Sequence, residues 1–200
     1  MPATVVPIDG RLARSVRSRT AVADAMLDLL QDNDLQPTAA RVAERAGVSL
    51  RLVFQHFADL EALYAEVADR QAKRLRPLLI GPTSAGPLAD RVQAFVTRRA
   101  QALETIAPVR RAALLRAPFS PVLTQRLQYA RRLARAQVDS VFRPELARHA
   151  PSTRQELRAA LFVATGFSSW EVLRRHQRLP VAQAQRVMAR TVRALLKETT

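Results

Sequence analysis

Apolar side chains return at helical spacing along nearly the whole 200-residue chain, while β-branched runs and two-residue alternation are almost missing. That pattern leaves an all-α fold of about nine helices. From Ser18, a suitable N-cap, the residues Val22, Met26, Leu29 and Leu30 mark one buried stripe of a first helix, and Asn33 offers the left-handed conformation that closes it. A second helix is expected from Pro37-Thr38 to about Ala46 and a third from Ser49 to about Phe57. Asp59 caps a fourth, with Leu63 and Val67 facing inward and an end near Leu75.

Composition narrows the class further. The uncharged stretch Ala159 to Trp170 is 12 residues long and contains Thr, Gly and Ser, short of the roughly 20 apolar residues that span a bilayer, so no membrane partner is expected. Cysteine is absent, which removes disulfides and thiolate chemistry and suits an intracellular, cytoplasmic chain. The net charge is +15, but residues 1–75 balance ten basic against ten acidic side chains, and residues 76–200 carry 22 basic against seven acidic. The surplus fits a phosphate-seeking surface, and it fits equally well the arginine-rich usage of a GC-rich genome.

Residues 77–87, PLLIGPTSAGP, form the clearest connection in the chain. They divide it into a basic flexible arm at 1–17 with Arg11, Arg14 and Arg17, a head at 18–75 and a second domain at 76–200. Within the second domain, helices are expected near 88–106, 108–116, 119–142, 152–176 and 180–197, separated at Pro108, Pro118, Pro144, Pro151 and Pro180.

The segment Thr38 to Phe57, TAARVAERAGVSLRLVFQHF, has the pattern of a helix-turn-helix. Ala43 is small where two helices approach, Gly47 permits a positive φ in the turn, and Val48 and Val53 supply the apolar plug that sets the interhelical angle. Such a unit presents the start of its second helix to a major groove about 12 Å wide. The presented residues are Leu50, suited to a thymine methyl, Arg51, suited to guanine, and Gln55, suited to adenine or a phosphate. Thr38 and Ser49 at helix N-termini, His56, and Arg17 with Arg19 just ahead of the first helix are candidate phosphate contacts. As alternatives, Thr38 and Ser49 are caps only, His56 is a packed surface residue, and the arm is a solubilising tail.

Together, TAARVAERAGVS, QHF and DLEALYAEV make residues 18–70 resemble the DNA-binding head of the TetR/AcrR family of transcriptional regulators. The resemblance implies an N-terminal three-helix head plus a C-terminal helical domain for ligand binding and dimerisation. It also implies a homodimer on double-stranded DNA and release by a small-molecule ligand, the behaviour of a ligand-responsive repressor. Phe54 departs from the pattern by lacking a tyrosine hydroxyl, and Asp59-Leu60 by lacking a cation; both changes remove phosphate contacts.

In the second domain Phe95, Phe119, Leu123, Leu127, Phe162, Phe167 and Trp170 are candidates for an apolar ligand pocket, ordinary core packing being the alternative for each. Arg98 and Arg99 are candidates for holding an anionic ligand. Leu161, Ala164, Thr165 and Ser168, with Ala184, Met188, Thr191 and Leu195, suit a helical subunit interface. His56, His149 and His176 share no metal spacing, and no phosphate loop, nucleophile elbow or cofactor motif occurs. The reading is therefore a DNA-binding regulator rather than an enzyme, with a helical protein-interaction module as the alternative.

Overall fold

The computed structural model describes residues 10–79 and 84–197; residues 1–9 of the expected arm and Gly81 of the expected connection lie outside the described residues. The described residues contain ten α-helices and no strand. The first four are α1 (Gly10–Gln31), α2 (Ala39–Ala46), α3 (Leu50–His56) and α4 (Leu60–Leu79). They are followed by α5 (Leu88–Arg116), α6 (Pro121–Val141), α7 (Arg143–Leu146), α8 (Pro151–Ala164), α9 (Phe167–Glu171) and α10 (Val181–Lys197).

Three boundaries differ from the sequence expectation. Helix α1 begins at Gly10, so Ser18 is not its cap; the Ser18 hydroxyl turns back to the carbonyls of Arg14 and Ser15 at 3.2 and 3.1 Å. A residue able to cap does not stop a helix when the preceding turns contain no breaker, and Arg11, Arg14 and Arg17 consequently stand on α1 rather than on an extended arm.

Pro108 does not separate two helices either, because α5 runs straight through it. Its ring removes one backbone hydrogen bond, at a cost of about 3 kcal/mol, but Ala107 and Val109 on either side are buried and hold the helix together. The expected helix 152–176 is instead interrupted at Thr165-Gly166. The Thr165 hydroxyl donates to the Leu161 carbonyl at 2.8 Å, and a Cβ on Gly166 would meet the Phe162 carbonyl oxygen at 3.0 Å, so a larger residue at the corner would press on that backbone oxygen. Beyond it α9 continues into a π-turn over Val172–His176.

The chain forms two compact units. The first gathers the residues up to Gln71 together with Pro108–Leu123. The division thus falls inside α4, not in the proline-rich connection, and it draws in the end of α5: Arg116 lies 4.6 Å over the Tyr64 ring and the Ser120 hydroxyl donates to Glu61 at 2.5 Å. Val22, Met26, Leu29 and Leu30 of α1 pack with Val42, Val53, Phe57, Leu63 and Val67 in its core.

The second unit comprises Ala72–Ala107 and the residues from Thr124 onward. Its core holds Phe95, Val138, Phe142, Leu161, Phe167, Trp170, Met188 and Val192, with Phe95 and Phe142 meeting edge to face at 5.2 Å between ring centroids. Each large side chain so enclosed contributes about 1.5–3 kcal/mol. Arg91 and Glu145, 6% and 7% exposed, form a buried ion pair there. No helix among the described residues is long and apolar enough to cross a membrane.

Candidate nucleic-acid interface

The corner between α2 and α3 is built from three local devices. Thr38 caps α2 by accepting the Arg41 N–H at 3.3 Å, and Ser49 caps α3 by accepting the Leu52 N–H at 3.2 Å. Between them Gly47 sits at φ 65°, its N–H bonded to the Glu44 carbonyl at 3.1 Å, while the Val48 N–H reaches the Ala43 carbonyl at 3.0 Å. This is a Schellman ending, which needs a left-handed residue at the position Gly47 occupies. Asn33 takes the same conformation after α1 at φ 66°, and the Asp59 carboxylate caps α4 through the Ala62 N–H at 2.7 Å.

Helix α3 is thereby fixed with one face inward and one outward. Val53 and the following Phe57 are buried, Val48 and Leu52 are half-buried, and Leu50, Arg51, Phe54 and Gln55 are exposed. Those four positions lie at i, i+1, i+4 and i+5, which puts them on one side of the helix. The structure therefore brings Leu50, Arg51 and Gln55 to one edge, as the sequence suggests, and adds Phe54, which is 48% exposed beside Leu50 at 44%. The i+4 spacing from Leu50 carried that signal, although the missing hydroxyl draws attention first.

The candidate phosphate contacts separate into two groups. Thr38, Ser49 and Arg17 are exposed, and each capping hydroxyl keeps its own proton to donate. His56 is half-buried and differently employed. Its Nε2 lies 2.6 Å from the Ser18 hydroxyl, its carbonyl accepts Arg19 at 2.6 Å, and Arg19 also lies 4.3 Å over the Phe57 ring and 2.9 Å from Glu66. Arg19, expected to reach outward, instead clasps the end of α3 to α1 and α4.

Hydrogen bonds from Arg70 and then from Arg19, outweighing burial, hold the Glu66 carboxyl below its ordinary value, so the clasp stays ionised. Further pairs, Arg41 with Asp34 at 3.3 Å and Arg45 with Asp32 at 2.8 Å, account for the neutral balance of the head. Arg51 has no acidic partner among the described residues and projects from the helix.

The residues expected to form one apolar pocket do not assemble as one. Phe119, 87% exposed, and the buried Leu123 belong to the first unit, so neither lines a site in the second. Phe95, Phe167 and Trp170 are core residues of the second unit, Leu127 is buried, and Phe162 is half-buried under Arg135 at 4.7 Å. The expected subunit interface is corrected in part as well. Leu161, Thr165, Ala184 and Met188 are buried within the chain's own fold, which takes them out of reach of a partner. Ala164 and Leu195 are half-buried, and Ser168 and Thr191 exposed.

Two polar residues are buried deep in the second unit, Arg99, an expected anion contact, and Gln137, which the sequence reading of the pocket missed. Gln137 is buried with neither amide atom hydrogen-bonded, and the buried Arg99 lies 5.0 Å over the Phe95 ring while donating to the Ala134 carbonyl at 3.1 Å. Gln137 sits about one turn along α6 from Ala134, whose carbonyl accepts from Arg99.

No family model and no curated protein matches this sequence. Its fold does match solved structures. A TetR-family transcriptional regulator from Streptomyces coelicolor shares it at a TM-score of 0.71 and 21% identity, over 90% of this chain and 80% of that one. A transcriptional regulator from Rhodococcus gives 0.70 at 18% identity, over 90% and 97%. The fold is that of the TetR-type regulators. A third such structure, a TetR/AcrR-family regulator from Aquifex aeolicus, reaches 0.60 at only 11% identity, over 89% and 99%. The TetR-like likeness therefore extends through the C-terminal helices, well beyond residues 18–70 where the sequence carries it.

Proposed function

We propose that this chain is a sequence-specific DNA-binding transcriptional regulator, a repressor that binds an inverted-repeat operator as a homodimer and leaves it when a small ligand binds. The observation carrying this reading is the open edge of α3. Arg51 and Gln55 stand exposed on a helix whose start is fixed by the Ser49 cap and whose end is fixed by the Ser18, Arg19 and His56 clasp. A guanidinium and an amide held on a rigid helix are the side chains that read guanine and adenine edges. Leu50 and Phe54 add apolar surface for thymine methyls, and Thr38, Ser49 and Arg17 supply phosphate contacts.

A homodimer is supported by the apolar surface left on the last helices. Val163 is 65% exposed on α8 and Val187 is exposed on α10, and with Ala164, Ser168, Thr191 and Leu195 they replace the buried members of the expected interface. In the homodimer the two α3 helices lie about 34–36 Å apart, to meet successive major-groove faces. Ligand release is supported by two polar residues buried in the second unit, Gln137, whose amide has no hydrogen-bond partner among the described residues, and Arg99 beside Phe95, which are the groups we assign to the polar head of a ligand. The ligand must favour a spacing of heads that fits the operator poorly, since equal binding to both states shifts nothing.

Selection of bound duplexes from a random pool tests the reading. An enriched inverted repeat with half-sites about one helical turn apart is expected. A pool that remains random would leave the interaction-module alternative in its place.

A further inference from the structure

The second unit carries a groove of ≈ 640 Å³ between α5 and α10, whose lining includes Gln93, Gln185, Arg186, Arg190, Arg193 and Lys197 and three small alanines. None of the large aromatic side chains of the core lines it, and nothing in the DNA-binding reading employs it. We propose that this groove is a binding site for a small polyphosphate anion, of the kind carried by nucleotides.

Charge is the first argument. Arg186, Arg190, Arg193 and Lys197 follow at i, i+4, i+7 and i+11, one row about 16 Å long at ~1.5 Å per residue. Like charges three and four residues apart repel along a helix, and α10 from Val181 to Lys197 contains no acidic residue to relieve them. Nor does any carboxylate among the described residues line the groove. The acids that do serve arginines in this unit are engaged elsewhere, Glu104 with Arg174, Asp139 with Arg158 and Glu145 with Arg91. The Arg186, Arg190 and Arg193 side chains are exposed and make no hydrogen bond or ion pair among the described residues.

Shape and chemistry define the occupant. The volume lies in the range of small-ligand sites, roughly 300–1,000 Å³. Guanidinium groups recognise phosphate oxygens through paired parallel N–H donors, and Gln93 on the opposite wall with Gln185 can add neutral donors. The small alanines leave room for the anion to approach the helix backbone. A second copy of the chain is a poor occupant, because a two-fold interface centred on this row would set its cations against themselves. The interface proposed above uses Val187 and Thr191, about 110° round α10 from the cationic row at 3.6 residues per turn.

The test is isothermal titration of the full-length protein with inorganic triphosphate and, separately, with ATP at one fixed ionic strength. It compares the native chain, the triple variant Arg186→Ala, Arg190→Ala, Arg193→Ala, and a charge-matched triple, Arg131→Ala, Arg148→Ala, Arg175→Ala, at exposed positions outside the groove. Alanine favours helix, so the groove variant retains its fold, which circular dichroism verifies. Triphosphate is expected to bind the native chain and the matched triple alike and to lose at least tenfold in the groove variant. ATP binding more tightly than triphosphate would assign the nucleotide as the occupant; equal affinities would assign the phosphates alone. Absent binding, or equal loss in both triples, would overturn the site. So would loss of duplex affinity in the groove variant with triphosphate binding unchanged, which would make the row a nucleic-acid contact.

Discussion

Replacing Glu145 by Gln preserves shape and removes one charge from a buried pair whose members are 6% and 7% exposed. In the native chain both Glu145 oxygens accept from Arg91, which also donates to the Val141 carbonyl at 2.6 Å and to the Gly86 carbonyl at 3.1 Å. The substitution leaves the guanidinium enclosed without a counter-charge, and breaking such a pair costs about 3–5 kcal/mol. Against a urea slope of about 2 kcal/mol per molar, a loss of about 4 kcal/mol lowers the unfolding midpoint by about 2 M. The double substitution Arg91→Met with Glu145→Leu removes both charges and should recover most of the loss.

Acid provides an independent check on the same pair. Burial alone raises the Glu145 carboxyl, but Arg91's hydrogen bonds, a backbone hydrogen bond and the charges of Arg91 and Arg148 outweigh it, holding the group below its ordinary 4.5. A depressed folded pKa means stabilisation that is full above about 4.5 and is lost as pH falls through the lower folded value. The gap between native chain and Glu145→Gln should therefore narrow on acidification. Urea midpoints measured against pH decide the matter. A Glu145→Gln chain within about 0.5 kcal/mol of native, or a double variant no better than the single, would refute the reasoning.

Other expectations follow from the head. A Cβ at Gly47 meets nothing within 4 Å, so Gly47→Ala should cost only the left-handed strain, about 1–2 kcal/mol, with Gly47→Asn milder by thermal melting. Ser18→Ala removes the hydrogen bond to His56 and should cost about 1 kcal/mol while speeding amide exchange at 54–57; unchanged exchange there would dismiss the clasp. Arg17→Ala should leave sequence preference intact and, by giving up one phosphate, reduce the logarithmic salt slope of operator binding by about one.

The parts of this molecule legible in the sequence are those decided by a few adjacent residues. Gly47, Asn33, Thr38, Ser49 and Asp59 perform the turn and cap roles that their chemistry suggests, because those roles depend on backbone conformation within one turn. Where packing decides, the local signals failed. Pro108 breaks helices in isolation, yet its buried neighbours carry α5 across it. Ala184 and Met188 form an apolar stripe at the right period, but a stripe says only that the face is covered, and the chain's own core covers it.

Phe119 shows the opposite error, an aromatic side chain left almost fully exposed. At the site itself, the exposed row of Leu50, Arg51 and Gln55 followed from the helix-turn-helix pattern around Gly47, whereas the inward turn of His56 and Arg19 depends on Ser18 and Glu66, their respective partners far away in sequence. The buried, unpartnered Gln137 had no signal of this kind, since one glutamine in a helix reads as surface.

The most direct measurement concerns the exposed edge of α3: the affinities of Arg51→Ala and Gln55→Ala for a selected inverted-repeat duplex and for a random duplex, at one salt concentration. Each substitution should weaken binding to the selected duplex by about 1–3 kcal/mol, roughly 5- to 150-fold, and relax preference at one base pair. The random duplex should be affected far less. Variants that bind both duplexes as the native chain does, or that weaken on both equally, would contradict the claim that this edge reads DNA sequence.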